Sequence, residues 1–213
     1  MDKVTIVIIL ANVLFSMKGF NDPTFFNKFK FQIGPIKQKE FVRMLSSGFL
    51  HVDFNHLFFN MLTLYFFADV IIGYMGAMNF IIIYILSLLV GSILSYFYHK
   101  ENLYYSAVGA SGAVSGILFA AILLNPSMSL YLMFIPIPIP AYIVGIGYLA
   151  YTVFGMKKQL GNTGHAAHLG GAIGGLLLVI ILRPEVIQTR LTTLGLLAIP
   201  ILFFLILGKK LDK

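Results

Sequence analysis

Cysteine and tryptophan are absent from the 213 residues, and only 11% of them are charged. Without cysteine there is no disulfide framework, no thiolate nucleophile and no Cys-ligated metal or iron–sulfur cluster. A charged fraction so far below the roughly 25% of an average soluble domain, with 59% apolar residues and a mean hydropathy of +0.90, excludes a water-soluble globule. What remains is an all-α polytopic membrane helical bundle. The 15 Lys and Arg against 8 Asp and Glu leave a net charge of +7. In a membrane protein that excess belongs to loops facing anionic headgroups, so nucleic acid is not an expected partner and the lipid bilayer is.

About 20 apolar residues cross a bilayer, and the apolar runs predict seven spans: residues 4–17, 54–74, 80–97, 107–124, 130–154, 165–182 and 191–207. The first has no small-residue cleavage site after it and reads as a retained helix, not a signal peptide. Residues 18–50 mix Lys28, Lys30, Lys37, Lys39 and Arg43 with Phe20, Phe25, Phe26, Phe29, Phe31 and Phe41. So long a connection is often functional, and its aromatic and basic composition predicts an interfacial segment. Pro136, Pro138 and Pro140 remove backbone donors and disfavour helix in the residue before each, so the fifth helix should begin nearer Ala141. The last run ends at Lys209 and Lys210. With the N-terminus inside, the inner face would hold only Lys3, Arg183 and Arg190; the positive-inside rule therefore favours the N-terminus outside.

Polar groups inside spans are costly and are functional candidates by default. Here they are His51, His56, Asn60 and Asp69 around the second span, Ser111 and Ser115 in the fourth, and His165 and His168 at the start of the sixth. His56 and Asn60, four apart, share one helix face and form a donor pair. Ser111 lies in the run Gly109 to Ala113 near a helix start, where free backbone N–H groups favour incoming negative charge. His168 precedes Gly170, Gly171, Gly174 and Gly175. Two small-residue faces can pack closely enough to bring Ser111 and His168 into hydrogen-bond reach. A hydroxyl, an imidazole to take its proton and donors for a developing oxyanion are the requirements of nucleophilic catalysis. With no Asp or Glu in either span, the arrangement would be a Ser-His dyad. Taken singly, such a serine ordinarily bonds to its own backbone and glycine runs ordinarily serve packing. His51 and His165 read as structural or interfacial, His99 as a loop residue, Asp69 as reaching the headgroups, and Ser115 as a packing serine.

The segment Arg43 to Met61 (RMLSSGFLHVDFNHLFFNM), GASG at Gly109 to Gly112, and AHLGGAIGG at Ala167 to Gly175 resemble the three signature blocks of rhomboid intramembrane serine proteases, in order on the second, fourth and sixth spans. The resemblance covers nearly the whole chain to Leu182. It implies a six-helix catalytic core over residues 1–182, with residues 18–50 as the first loop and residues 183–213 as an added C-terminal helix and basic tail. It implies Ser111 as nucleophile and His168 as general base, with no cofactor. His56, Asn60 and Gly109 would line the oxyanion hole. His51, Arg43, Gly112, Gly171 and Gly175 would be structural residues near the site. Substrates would be transmembrane proteins.

Two departures stand out. Val42 replaces the tryptophan expected before Arg43, which implies a less firmly anchored first loop. Ser115 replaces an aromatic residue that in the family often stacks on the catalytic imidazole. The family's usual orientation, with a cytoplasmic N-terminus and a site opening outward, is the one the charge count disfavours. The compactness of the chain favours a bacterial plasma membrane. Two rival readings stay open: a rhomboid-like protein that binds transmembrane clients without cutting them, and a metal-dependent hydrolase or transporter using His51, His56, His165 and His168, which lacks an HExxH motif and an obvious carboxylate ligand.

Overall fold

The computed structural model describes residues 1–132, 135–158 and 164–207, which form ten helices and two small antiparallel sheets. Helix α1 (Lys3–Asn21) starts at an Asp2 cap whose carboxylate accepts from the Val4 amide. The first loop is itself folded into α2 (Pro23–Phe29), β1 (Phe31–Gln32), α3 (Ile33–Lys37) and α4 (Arg43–Ser46). A 46-residue helix, α5 (Phe54–His99), follows and breaks at Gly76, whose φ of +82° is not helical. At 1.5 Å per residue α5 is about 69 Å long, so the break divides it into two spans, residues 54–75 and 77–99. Then come β2 (Ser106–Ala107), α6 (Ser111–Leu124), β3 (Ser129–Leu132), β4 (Ile135–Pro140), α7 (Ala141–Lys158), α8 (His165–Leu182), α9 (Val186–Thr189) and α10 (Leu191–Leu207).

Helices α1, α5 and α8 are long and apolar enough to cross a membrane. Large apolar side chains such as Leu14, Phe66, Phe97, Phe154 and Ile181 cover the outside of the bundle, a surface that only lipid would solvate. The protein is an integral membrane helical bundle.

The expected spans correspond to these helices with two differences, in the second and third spans and in the fourth, while the fifth starts where its prolines predict. The second and third are one helix with a glycine break. The fourth begins at Ser111, because Ser106 and Ala107 are extended and pair with Gln32 and Phe31 and because Gly109, at φ +127°, is outside helical geometry. The fifth begins at Ala141, after a hairpin in which every second residue of β4 is proline and can pair on one edge only. Lys209 and Lys210 lie outside the described residues.

Almost every residue of α6 is buried, and α5, α6 and α8 pack around one another. With 14 residues, α6 is about 21 Å long, well short of the ~30 Å hydrocarbon thickness. It cannot span that thickness by itself. The approach of these helices depends on glycine. A Cβ on Gly91 would meet the Ala167 carbonyl at 2.6 Å, and one on Gly171 or Gly175 would collide with the carbonyl oxygen of Gly112 or Gly116. The three backbones are in direct contact, as small-residue membrane interfaces allow. Polar residues on α1, not singled out from the sequence, tie it to this core: Asn12 donates to the Tyr84 hydroxyl at 3.0 Å.

The first loop is anchored without a tryptophan. Val42 is 60% exposed, while Arg43 is 7% exposed and donates to Glu40 (2.6 Å) and to the carbonyls of Asn27 (2.7 Å) and Lys30 (3.1 Å). Ser46 bonds the Phe29 carbonyl and Ser92 bonds the Met44 carbonyl. Lys18 and Lys28 lie over the rings of Phe25 and Phe29, so several cations of this connection are engaged within the fold. Arg43→Ala strands two loop carbonyls and an acid, and is expected to lower stability by about 2 kcal/mol, read as a lower unfolding midpoint in detergent.

Candidate active site

A cavity of about 1210 Å³ is lined by both halves of α5, by α7 and by the first loop, with the N-terminal ends of α6 and α8 in its wall. His56, Asn60, Gly109, Ser111, Ser115, Tyr148, His165 and His168 all line it. Of the residues singled out from the sequence, those three segments apart in the chain are thus brought to one space.

Ser111 is the first residue of α6, and the cap position, Ala110, has no side chain to satisfy the first turn. The first amides of the helix are left without a side-chain partner, as an incoming oxyanion requires. His168 lies in the first turn of α8. Their neighbours touch: a Cβ on Gly112 would sit 3.4 Å from the Ala167 carbonyl. Among the described residues no hydrogen bond joins Ser111 to His168.

His56 and Asn60 stand a turn apart on α5. The Asp53 carboxylate caps that helix by accepting from the His56 amide at 2.7 Å. Asn60 spends one amide hydrogen on the His56 carbonyl, 3.1 Å away, and has a second one left. The Nδ1 of His56 is buried with no partner among the described residues. Gly109 is required where it stands. Its φ of +127° strains any residue with a Cβ, and that Cβ would be 2.8 Å from His56 Nε2. The Gly109 amide donates to the Ser47 carbonyl at 3.0 Å, which ties this loop to the first one.

His51 is fully buried and its bonding sets its tautomer. Nε2 accepts from the Ala110 amide (3.3 Å), so Nδ1 carries the proton and donates to Ser16 Oγ (2.8 Å), whose hydroxyl donates to the Phe49 carbonyl (2.9 Å). The imidazole holds the residue before Ser111, and its partner Ser16 comes from α1. Nothing in the local sequence linked Ser16 to the site; its position as a hydroxyl within an apolar helix was the available signal.

The remaining polar groups are placed as follows. His165 packs against Gly155 and the ring of Tyr151, and His99 stacks on Tyr105 at 3.5 Å. Burial pushes the Tyr105 hydroxyl up to about 12, and Tyr105 lines the cavity. Asp69 is exposed, 3.6 Å from the N-terminal ammonium.

Sequence reasoning passed over Tyr148 of α7. Its ring lies alongside the His168 imidazole, with centroids 6.0 Å apart and planes at 25°. Its hydroxyl shares a 3.0 Å hydrogen bond with Ser115. The signal was Ser115 itself, a small residue that leaves room beside the imidazole for an aromatic from elsewhere.

The four histidines of the metal reading fall into two pairs, His51 with His56 (ring centroids 5.0 Å apart) and His165 with His168 (6.3 Å). Among the described residues no three His, Asp or Glu side chains converge as metal ligands. With both nitrogens of His51 engaged, the residues do not fit a four-histidine metal centre.

The Rhomboid domain family model matches residues 38–185, which include all of these groups except Ser16. The chain belongs to the rhomboid family. Rhomboid relatives include RHOMBOID-like protein 12, mitochondrial, of Arabidopsis thaliana, 31% identical over 78% of this chain and 54% of that protein. Rhomboid protein 1, mitochondrial, of Saccharomyces cerevisiae is 33% identical over 66% of this chain and 42% of its own length. Rhomboid protease GluP of Bacillus subtilis is 31% identical over 66% of this chain and 26% of its own. The chain thus spans about half the length, or less, of these rhomboid relatives.

Proposed function

We propose that this rhomboid protein is an intramembrane serine endopeptidase that cleaves membrane-anchored proteins in or near their transmembrane segments. The observation that carries the reading is that Ser111, at an uncapped helix start, and His168, at the start of a second helix packed on the first through glycines, line one cavity. In this reading the Ser111 hydroxyl attacks the scissile carbonyl carbon while the His168 imidazole takes its proton. The tetrahedral oxyanion is stabilised by the Ser111 amide, the free amide hydrogen of Asn60 and His56. As the C–N bond breaks, the imidazolium returns the proton to the leaving amine. Water activated by the same imidazole then releases the acyl group. No cofactor enters. A substrate helix buries its scissile carbonyls, so helix-weakening residues in the substrate should favour cleavage.

Purified protein in liposomes is expected to cut a single-span substrate, and a fluorophosphonate is expected to label Ser111. Cleavage that survives complete labelling overturns the nucleophile. Asn60→Ala should lower kcat on the order of 100-fold with little change in KM, measured on the same substrate. Sensitivity to a chelator would return the metal reading.

A second reading, a rhomboid-like protein that holds transmembrane clients without cutting them, is favoured by one observation: Ser111 and His168 are not hydrogen-bonded to each other in this structure. Catalytic hydrogen bonds in empty sites often tighten only with substrate, so we keep the enzyme as the conclusion. Client capture with neither cleavage nor labelling would reverse that choice. As host membrane we propose a bacterial plasma membrane. A Bacillus relative is compatible with it, whereas the plant and yeast relatives are named as mitochondrial.

A further inference from the structure

Neither α6 nor α8 carries an acidic residue, and among the described residues no side chain bonds a ring nitrogen of His168. Something else must orient that imidazole. The ring running nearly parallel to it belongs to Tyr148 on α7, at 6.0 Å and 25°, within the range of an offset aromatic stack. His165, the other ring beside His168, meets it edge-on at 76°. Tyr148 is held on α6: its hydroxyl bonds Ser115 Oγ at 3.0 Å and its ring lies 5.9 Å from that of Phe119. Ser115 stands one turn after Ser111, so one side chain joins the helix of the hydroxyl to the helix of the imidazole.

We infer that Tyr148 is the positioning residue for His168, anchored through Ser115, so that α7 supplies part of the catalytic alignment. The inference rests on the dyad reading above. Its physical content is a division of labour within Tyr148: the ring limits how the imidazole turns, and the hydroxyl limits where the ring sits. Because α7 is also a wall of the cavity, any displacement of α7 that widens the cavity withdraws the ring from His168. One turn before Tyr148, α7 is packed closely at Gly145, where a Cβ would meet Ile122 of α6 at 3.0 Å and Leu197 of α10 at 3.3 Å. Its C-terminal end is held by the Tyr98 hydroxyl, which donates to the Met156 carbonyl at 2.9 Å.

The test compares Tyr148→Leu, Tyr148→Phe, Tyr148→Ala, Ser115→Ala and the double variant Tyr148→Ala with Ser115→Phe. Cleavage rates of a single-span substrate are divided by the amount of protein labelled at end point by a fluorophosphonate, so that misfolded protein does not count. Tyr148→Leu is expected to lower kcat about tenfold with KM within about twofold, a factor at the upper end of what one ring–ring contact supplies. Tyr148→Phe and Ser115→Ala keep the ring and should stay within about threefold of wild type. The double variant, which moves the aromatic ring to α6, should recover activity relative to Tyr148→Ala alone.

A merely structural tyrosine would lower the labelled fraction without changing kcat per labelled molecule, and that result overturns the inference. Equal losses in Tyr148→Phe and Tyr148→Leu overturn it as well. If wild type depends on Ser111 and His168 but is indifferent to Tyr148→Leu, the inference alone fails. If Ser111→Ala still cuts, the dyad reading fails and the inference goes with it.

Discussion

Ser111→Ala is expected to abolish cleavage, with a loss on the order of 100,000-fold, about 7 kcal/mol of transition-state stabilisation, while leaving the fold intact. The two halves of that expectation have separate causes. The rate falls because no other hydroxyl of the cavity wall stands at the start of α6, where the uncapped amides can receive the oxyanion. The fold persists because Ser111 is half-buried and alanine suits the first turn of a helix at least as well as serine. Turnover of a single-span substrate, together with an unfolding midpoint within about 2 °C of wild type, is the measurement. His168→Ala should match Ser111→Ala in rate, and the two losses should not add when combined, since each group is useless without the other. Additive losses would mean that the two residues act independently.

Gly171→Ala is expected to have the largest effect on the fold itself. The added methyl would overlap the carbonyl oxygen of Gly112, a backbone atom that no side-chain rotation can move. One turn further along, Gly175 abuts Gly116 in the same way, so α6 cannot pivot to relieve the first contact without worsening the second. Overpacking of this kind costs about 3 kcal/mol, and separating α6 from α8 also separates Ser111 from His168. Lower unfolding midpoint and lower kcat should appear together. Gly147→Ala is the control: a Cβ there meets nothing within 4 Å, and neither property should change. A Gly171→Ala protein as stable as wild type would show that the helices have room this packing denies them.

The polar side chains stood out in the sequence because water-seeking groups are rare in an apolar chain, so Ser111, His168, His56 and Asn60 were legible before any coordinates. The small-residue run Gly109 to Ala113 and the glycines Gly170, Gly171, Gly174 and Gly175 likewise indicated two faces that pack closely. Apolar runs and proline chemistry located the spans, including the start of α7 at Ala141. Helix edges near the site were less legible. Ala107 reads as the start of the fourth span, yet it is extended and pairs with Phe31 of β1, a partner more than seventy positions away.

What the chain alone determined is a membrane bundle and an inventory of reactive groups, because composition and spacing are properties of neighbours along a line. What tertiary structure decided is which of those groups share a space and what holds them there. Ser16 fixes His51, which fixes the residue before Ser111, and Tyr148 from a helix with no polar motif takes up the place beside His168. Such pairings depend on the angle and depth at which helices cross, set by backbone contacts at glycine across three helices at once. No window of sequence contains that information, since the energy of each contact depends on atoms contributed by distant segments.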